Sequence, residues 1–506
     1  MAIQNGDSDG ALLSKPSDQE YPSLNRIPAN YNPLTNYNLP KNRHYTQQYA
    51  DMYFARLAQL KPAVEQVAAE AWQDFEIAGE RARRVDRVLD VRQGELCWVI
   101  GTCYMEMPLK PNVLDDIGKE HWIAAPPARQ KYTEGGEGDQ VMLEDESGRL
   151  RLTGGALRSV LLVTGAIVAV IGTENKDGDF EVLDVRVADL PRQPPRWERD
   201  DGDTAVRGKS VSKPRPSGGK VAIVSGLSFS GDVGDTLPLE LLSEWLLGES
   251  AGPDDQQDTS TISRLIIAGN SIAHGCPIPS REEVAAAALK SRGQKKYGYD
   301  SASYNAAPTA RFDTWLANLL PSIPITLLPG ESDPTATSLP QQAIHAAMFP
   351  HSRAYMQPPA VDHSSTEQER SWFTSTTNPT EFDLQGWRFL TIGGQTLNDV
   401  YKYLSTNDRL EMMEAMLRWR LTAPTAPDTL TCYPFQDGDA FVLKECPHVY
   451  VAGCQPKFET GVIEGPQGQM VRLLAVPSFR ETGEVVVVDL ESLGVEVVKF
   501  EVWEGG

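Results

Sequence analysis

Four short apolar runs in the second half of this chain each end in a glycine-containing loop, and this pattern constrains the fold more than any other feature. They are KVAIVSGLSF from 220, SRLIIAGNSI from 263, IPITLLPGES from 323 and HVYVAGCQPKF from 448. Short apolar runs bounded by turn residues read as buried strands. Helical stretches lie between them, within 281–320 and again over 404–421. Strands that alternate with helices build a layered α/β unit whose loops gather at one edge of the sheet, where sites form. The closing stretch VRLLAVPSFRETGEVVVVDLESLGVEVVKFEVW adds antiparallel strands.

The first half has other periods. Over 45–75, Tyr49, Met52, Tyr53, Leu57, Leu60, Val64 and Val67 recur at three- and four-residue steps, which predicts a helix. From 91 the period becomes two. GELCWVIGTCYMEM alternates as a strand does, and QVMLEDESGRLRLTG is a hairpin turning at Glu146-Ser147-Gly148. A further turn is expected at 175–178. Several short strands in about 100 residues predict a small Greek-key barrel, with the oligonucleotide-binding (OB) type leading. The expected units are a flexible segment 1–42, a helix 43–80, the barrel 81–194, a polar linker 195–218 and the α/β unit 219–506.

Composition then removes whole classes of function. No apolar run reaches eighteen residues, so no membrane span is expected, and the N-terminus lacks the basic and apolar regions of a secretory signal. The net charge is −22, which argues against a surface that grips a polyanion throughout. It leaves room for one basic patch and suits protein partners. The six cysteines, Cys97, Cys103, Cys276, Cys432, Cys446 and Cys454, include no C-x-x-C pair, as expected of buried thiols in a reducing compartment. No G-x-x-x-x-G-K-S/T, no G-x-S-x-G and no strand-borne G-x-G-x-x-G is present, so nucleotide-loop and serine-hydrolase chemistry have no support.

The order and spacing of the four strand-end loops resemble the calcineurin-like metallophosphoesterases. Active members hold two metals about 3.5–4 Å apart on D-x-H, G-D-x-x-D, G-N-H-E/D, a lone His and G-H-x-H. Such sites need carboxylates and imidazoles. This sequence keeps the loops and loses the ligands. Ser225-Gly226-Leu227 stands for D-x-H, and Gly269-Asn270-Ser271-Ile272-Ala273 for G-D-x-x-D. Gly330-Glu331-Ser332-Asp333 stands for the third motif and Gly453-Cys454-Gln455-Pro456 for the last. Neutral Asn270 falls where a carboxylate must bridge two cations. The eroded positions are therefore Ser225, Leu227, Asn270, Ala273, Glu331, Ser332, Cys454 and Pro456. Glu331 with Asp333, and His274 or His345 as relocated ligands, remain candidates for a stray cation. Cys432, Cys446, His448 and Cys454 form a loose cluster without paired zinc spacing. No metal or cofactor is expected.

A barrel followed by such a domain resembles the B subunits of eukaryotic replicative DNA polymerases. RHYTQQYADMYFARLAQLKPAVEQVAAEAW, VTGAIVAVIGTENKDGDFEVLD, LPGESDPTATSLPQQAIHAAMFP, FLTIGGQTLNDVYKY and ECPHVYVAGCQPKF are similar to those of the delta enzyme. The resemblance runs from 44 to the end, apart from the linker and the acidic stretch near 251–260. It implies an OB-type β-barrel followed by an inactivated metallophosphoesterase αβ-layered domain, with no catalysis of its own. It further implies a nuclear scaffold in replication and repair. That scaffold would bridge the cysteine-rich C-terminal domain of the polymerase catalytic subunit to a smaller accessory subunit, and would also serve polymerase zeta. Trp98, Trp387, Phe389, Tyr401 and Tyr403 are candidate interface anchors. Two alternatives stand beside this reading. One is a phosphoesterase with a rebuilt metal site. The other is single-stranded DNA binding through the barrel, for which Trp98 and Tyr104 would be the stacking residues. The acids of VMLEDESGRLRL make that a poor platform, so direct DNA contact is expected to be weak or absent.

Overall fold

The computed structural model describes residues 24–45, 48–77, 79–111, 129–133, 138–195, 219–230, 236–250, 253–273, 305–357 and 372–501. Residues 1–23, most of the linker (196–218), His274, Cys276 and the 281–304 part of the expected helical stretch lie outside the described residues.

Two six-stranded sheets form the heart of the α/β unit. One runs Phe373–Ser375, Ile325–Leu328, Ile262–Ala268, Lys220–Val224, Glu484–Asp489, Val495–Lys499, and its first four strands are parallel. The other runs Tyr31–Pro33, Thr380–Leu384, Trp387–Ile392, Val449–Gln455, Met470–Pro477, Glu459–Glu464. Val221, Ile223, Ile266 and Leu328 meet Phe382, Phe389, Val449, Val451, Leu474 and Val476 between the sheets. The alternate residues Ala222, Val224, Leu265 and Ile267 face outward, into a core shared with helices Leu237–Leu247 and Ala307–Leu319. Tyr450 and Ala452 face outward on the other side, towards helices Gln395–Tyr403 and Arg409–Arg418. Both faces are covered around the central strands, which is why these read as unbroken apolar runs, whereas the edge strands Glu459–Glu464 and Val495–Lys499 keep exposed positions.

The barrel follows the strand order Arg83–Arg84, Cys97–Glu106, Gln140–Glu144, Arg149–Thr153, Phe180–Val187, Ile167–Glu174, and pairing of Cys97–Glu106 with Ile167–Glu174 closes it. Both expected turns form. Asp145 accepts from the Ser147 and Gly148 amides, and Asn175 Oδ1 from those of Asp177 and Asp179. The expected alternation in Cys97–Glu106 does not appear, because nearly the whole strand is buried. Its outer face is covered by helix Tyr49–Trp72, which buries Met52, Leu57, Leu60, Val64 and Trp72.

That helix is also the seam between the barrel and the two-sheet unit. Arg56 is fully buried and its Nε lies 2.5 Å from Asp439 Oδ2. Its Nη1 donates to Pro424 O at 2.6 Å and to Gly165 O at 3.4 Å, and Nη2 donates to Ala426 O at 2.8 Å. Gly165 has φ +92°, and a Cβ there would strike Pro424 O and the Arg56 guanidinium, so the position requires glycine. One hydrophobic core runs unbroken across this seam, from Val99 and Val168 to Met412, Trp419 and Leu473.

The expectation of a flexible segment over 1–42 is corrected for its described part. Tyr31–Pro33 pairs with Thr380–Leu384 as an edge strand, and Tyr31 and Tyr37 are buried. Arg26 donates to Thr259 O at 2.7 Å and to Ile262 O at 3.1 Å. The segment has no period because it uses isolated anchors rather than a continuous face.

Candidate functional site: the strand-end edge

The four expected loops do converge at one edge. Gly226 N donates to Gly269 O at 2.9 Å, and Cys454 N donates to Ser225 Oγ at 2.6 Å. Ser225 Oγ also donates to Pro477 O at 3.1 Å, so this buried hydroxyl ties three loops together. Leu227 turns away from the edge into the core under the helices. Asn270 (φ +52°) and Cys454 (φ +53°) hold left-handed backbone, which asparagine tolerates better than most residues.

Asn270 Oδ1 accepts from Ser332 N at 3.2 Å, and Ser332 Oγ donates to Ile272 O at 2.5 Å. Ala273 N donates to Phe229 O at 3.1 Å. Asp333 is buried, and its two oxygens accept from Ile272 N at 2.9 Å and Gly330 N at 2.7 Å. Burial pushes its carboxyl up to about 6, against the opposing pull of backbone N–H donors from 270–272 and 330. The carboxylate is thus committed to its own backbone, which removes Asp333 as a cation ligand. Glu331 is exposed beside it and Pro456 is exposed on the last loop. Cys454 is pushed up to about 12 by burial, so its thiol stays protonated.

Behind these loops lies a set of neutral amides that sequence reasoning missed. Asn378 Nδ2 donates to Gln341 Oε1 at 2.8 Å and to Gln395 Oε1 at 2.9 Å. Gln395 Nε2 donates to Gln341 Oε1 at 2.9 Å. Asn378 Oδ1 accepts from Gly393 N at 2.9 Å, and Gln455 Nε2 donates to Gly453 O at 2.9 Å. No motif flags such residues, since isolated amides in loops and at element ends look like any polar surface.

The other candidates disperse. His345 Nδ1 caps a short helix by accepting from Ala347 N, and His448 Nδ1 accepts from Arg388 N. Cys432 Sγ lies 3.6 Å from Met52 Sδ, and Cys446 faces Pro447 O. Among the described residues no group of three or more His, Cys, Asp or Glu is arranged to hold a metal. Of the proposed anchors, Phe389 and Tyr403 are core residues, and Trp98 is buried edge-on against Trp72, 5.8 Å between ring centres. Trp387 and Tyr401 keep partial exposure. Tyr104, the other barrel aromatic, carries Lys110 and Arg149 over its ring.

Comparison with known proteins gives the same outline. The family model for the B subunit of DNA polymerases alpha and epsilon matches residues 221–460, and that for the OB-fold domain of the DNA polymerase delta subunit matches 48–185. The class is therefore that of polymerase B subunits with an OB-fold barrel. The "DNA polymerase delta small subunit" of Saccharomyces cerevisiae is 34% identical over 91% of this chain and 91% of its own length. That of Oryza sativa subsp. japonica is 32% identical over 94% and 99%. The "DNA polymerase delta subunit 2" of Drosophila melanogaster is 31% identical over 94% and 99%. The chain belongs to the DNA polymerase delta small subunit family, and its role lies in the DNA polymerase delta complex and DNA replication.

Proposed function

We propose that this chain is a non-catalytic scaffold subunit of DNA polymerase delta, and that its two-sheet unit is an inactivated calcineurin-like phosphoesterase. One observation carries the reading. The edge where two metals would sit is filled by neutral amides, and the carboxylate buried there among the described residues, Asp333, is bound to backbone N–H groups. Two divalent cations held close together need several anionic ligands, and amides do not supply that charge. Ser225, Leu227, Asn270, Ala273, Glu331, Ser332, Cys454 and Pro456 are the positions from which ligands have been lost. A helix at 43–80, a barrel at 81–194 and a linker at 195–218 precede this unit, which spans 219–506.

The partners are the cysteine-rich C-terminal domain of the polymerase catalytic subunit and a smaller accessory subunit, with polymerase zeta as a second assembly, in the nucleus. A rigid pair of units locked at Arg56 supports this role, since a scaffold must hold fixed distances between the surfaces it offers. The net charge of −22 and the burial of Trp98 favour protein over DNA as the ligand. The test is purification of the tagged full chain from nuclear extract in high salt, with mass spectrometry of what remains bound. Near-equal recovery of a polymerase catalytic subunit is expected. Recovery of the chain alone would overturn the scaffold reading.

A further inference from the structure

Next to the eroded loops lies a cleft of about 700 Å³, lined among others by Tyr401, Lys402, Arg409, Asn398 and Gln455. It opens onto two of the motif loops, through Asn270 and through Cys454, Gln455 and Pro456, and its charged wall comes from elsewhere. Arg409 opens helix Arg409–Arg418, Lys402 closes helix Gln395–Tyr403, and the barrel's 129–133 segment reaches the rim through Gln130.

Arg409 is the unusual member. It is 8% exposed, and its guanidinium lies 3.8 Å from the centre of the Tyr401 ring. Lys131 Nζ lies 4.1 Å from the centre of the same ring. Arg409 Nη1 is buried and has no hydrogen-bond partner among the described residues. Its place in the first turn of a helix puts the cation at the positive end of the helix dipole. A buried, unpaired guanidinium is costly unless an anion completes it. The other cations are already satisfied. Lys131 donates to the carbonyls of Leu404, Ser405 and Thr406, and Lys402 lies 3.8 Å from Asp399. The acids nearby do not complete Arg409 either. Glu481 is exposed at the rim, and Glu459 attracts Arg409 only at a distance: its Oε1 pairs with Lys457 at 2.7 Å and its buried Oε2 makes no hydrogen bond among the described residues.

A second orphan narrows the ligand. Gln455 is 1% exposed, lines the same cleft, and its Oε1 is buried without a donor. Among the described residues the cleft therefore lacks both an anion in contact with Arg409 and a hydroxyl for Gln455. A carboxylate or sulfate supplies acceptors alone, whereas a monoprotonated phosphate supplies acceptor oxygens and an O–H. We propose that this cleft is a phosphate-binding site, in which Arg409 takes the charged oxygens and Gln455 accepts from the phosphate hydroxyl. With a net charge of −22 the chain repels polyanions at long range, so the site favours a single phosphate group over a nucleic acid strand.

Titration calorimetry on the full chain tests this, with inorganic phosphate replacing chloride at constant ionic strength. Saturable binding of phosphate is expected, with sulfate weaker. Arg409→Met should weaken binding about tenfold or more, the loss expected when a charged donor is removed, and Arg409→Lys should fall between. If Arg409→Met does not fold, Gln455→Met serves instead and should weaken binding severalfold, since it removes the acceptor for the phosphate hydroxyl. Adenosine monophosphate in place of phosphate distinguishes sources: tighter binding assigns the site to a nucleotide, equal binding to the free group. Absence of saturable heat, or unchanged affinity in Arg409→Met, would overturn the proposal. So would tighter, salt-sensitive displacement of phosphate by a single-stranded oligonucleotide. Equal stability losses in Arg409→Met and Glu459→Gln with unchanged phosphate affinity would assign Arg409 to an internal pair, and would also overturn it.

Discussion

The seam at Arg56 and the strand-end edge are both buried polar networks, yet they are built from opposite materials. The seam keeps full charges: Arg56 against Asp439, with carbonyls from the barrel and from 424–426 filling the remaining donors. The edge is built largely from the neutral amides Asn270, Gln341, Asn378, Gln395 and Gln455. A buried ion pair stabilises little in net terms but is severely disruptive when half of it is removed, so it suits a joint that must have one geometry. An amide network carries no net charge and has no counter-ion to recruit, so it suits an edge whose work is structural. The difference shows where this protein keeps a buried ion pair: at the joint between its two units, not among the amides of the strand-end edge.

The comparison breaks most easily at the seam. Asp439→Ala leaves Arg56 buried without its counter-ion and should cost about 3–5 kcal/mol, measured by urea unfolding of the full chain. An unchanged midpoint would mean that the seam is not a joint at all. Gly165→Ala comes next. Its Cβ meets Pro424 O and Arg56, and its backbone is left-handed, so a loss of about 1–3 kcal/mol is expected. The same substitution at Gly178, whose φ is +82° with open space around it, should cost less and isolates the clash from the backbone strain.

The smallest effect is expected at the edge. Asp333→Asn replaces one of two acceptor oxygens and should cost about 1 kcal/mol. The sign of its pH dependence is fixed. The folded carboxyl sits at about 6, above the ordinary aspartate value, so its protonated form is favoured by folding. That contribution is full at low pH and is lost as the pH rises through 6. The penalty of Asp333→Asn should therefore be larger at pH 5 than at pH 7, and a reversed order in paired unfolding curves would contradict the burial that raises it.

How much of this was legible beforehand follows from what periodicity can carry. The central strands after 220 were readable because both of their faces are covered, leaving continuous apolar runs. The helix over Tyr49–Trp72 was readable from Met52, Leu57, Leu60 and Val64. The role of Arg56 was not, since a lone arginine within that pattern looks like a solvated position. Tyr31 and Tyr37 were missed because single anchors in an extended segment leave no period. At the edge, the convergence of the four loops could be read from their motifs. The amides behind them could not, because Gln341, Asn378 and Gln395 meet only through the fold.

The central claim is that the strand-end edge has exchanged metal chemistry for structure. Metal analysis of the purified full chain, after dialysis against manganese and removal of free ion, tests it most directly. The account predicts no stoichiometric metal. Two equivalents of manganese, lost in Asp333→Ala together with hydrolysis of a phosphodiester substrate, would contradict it.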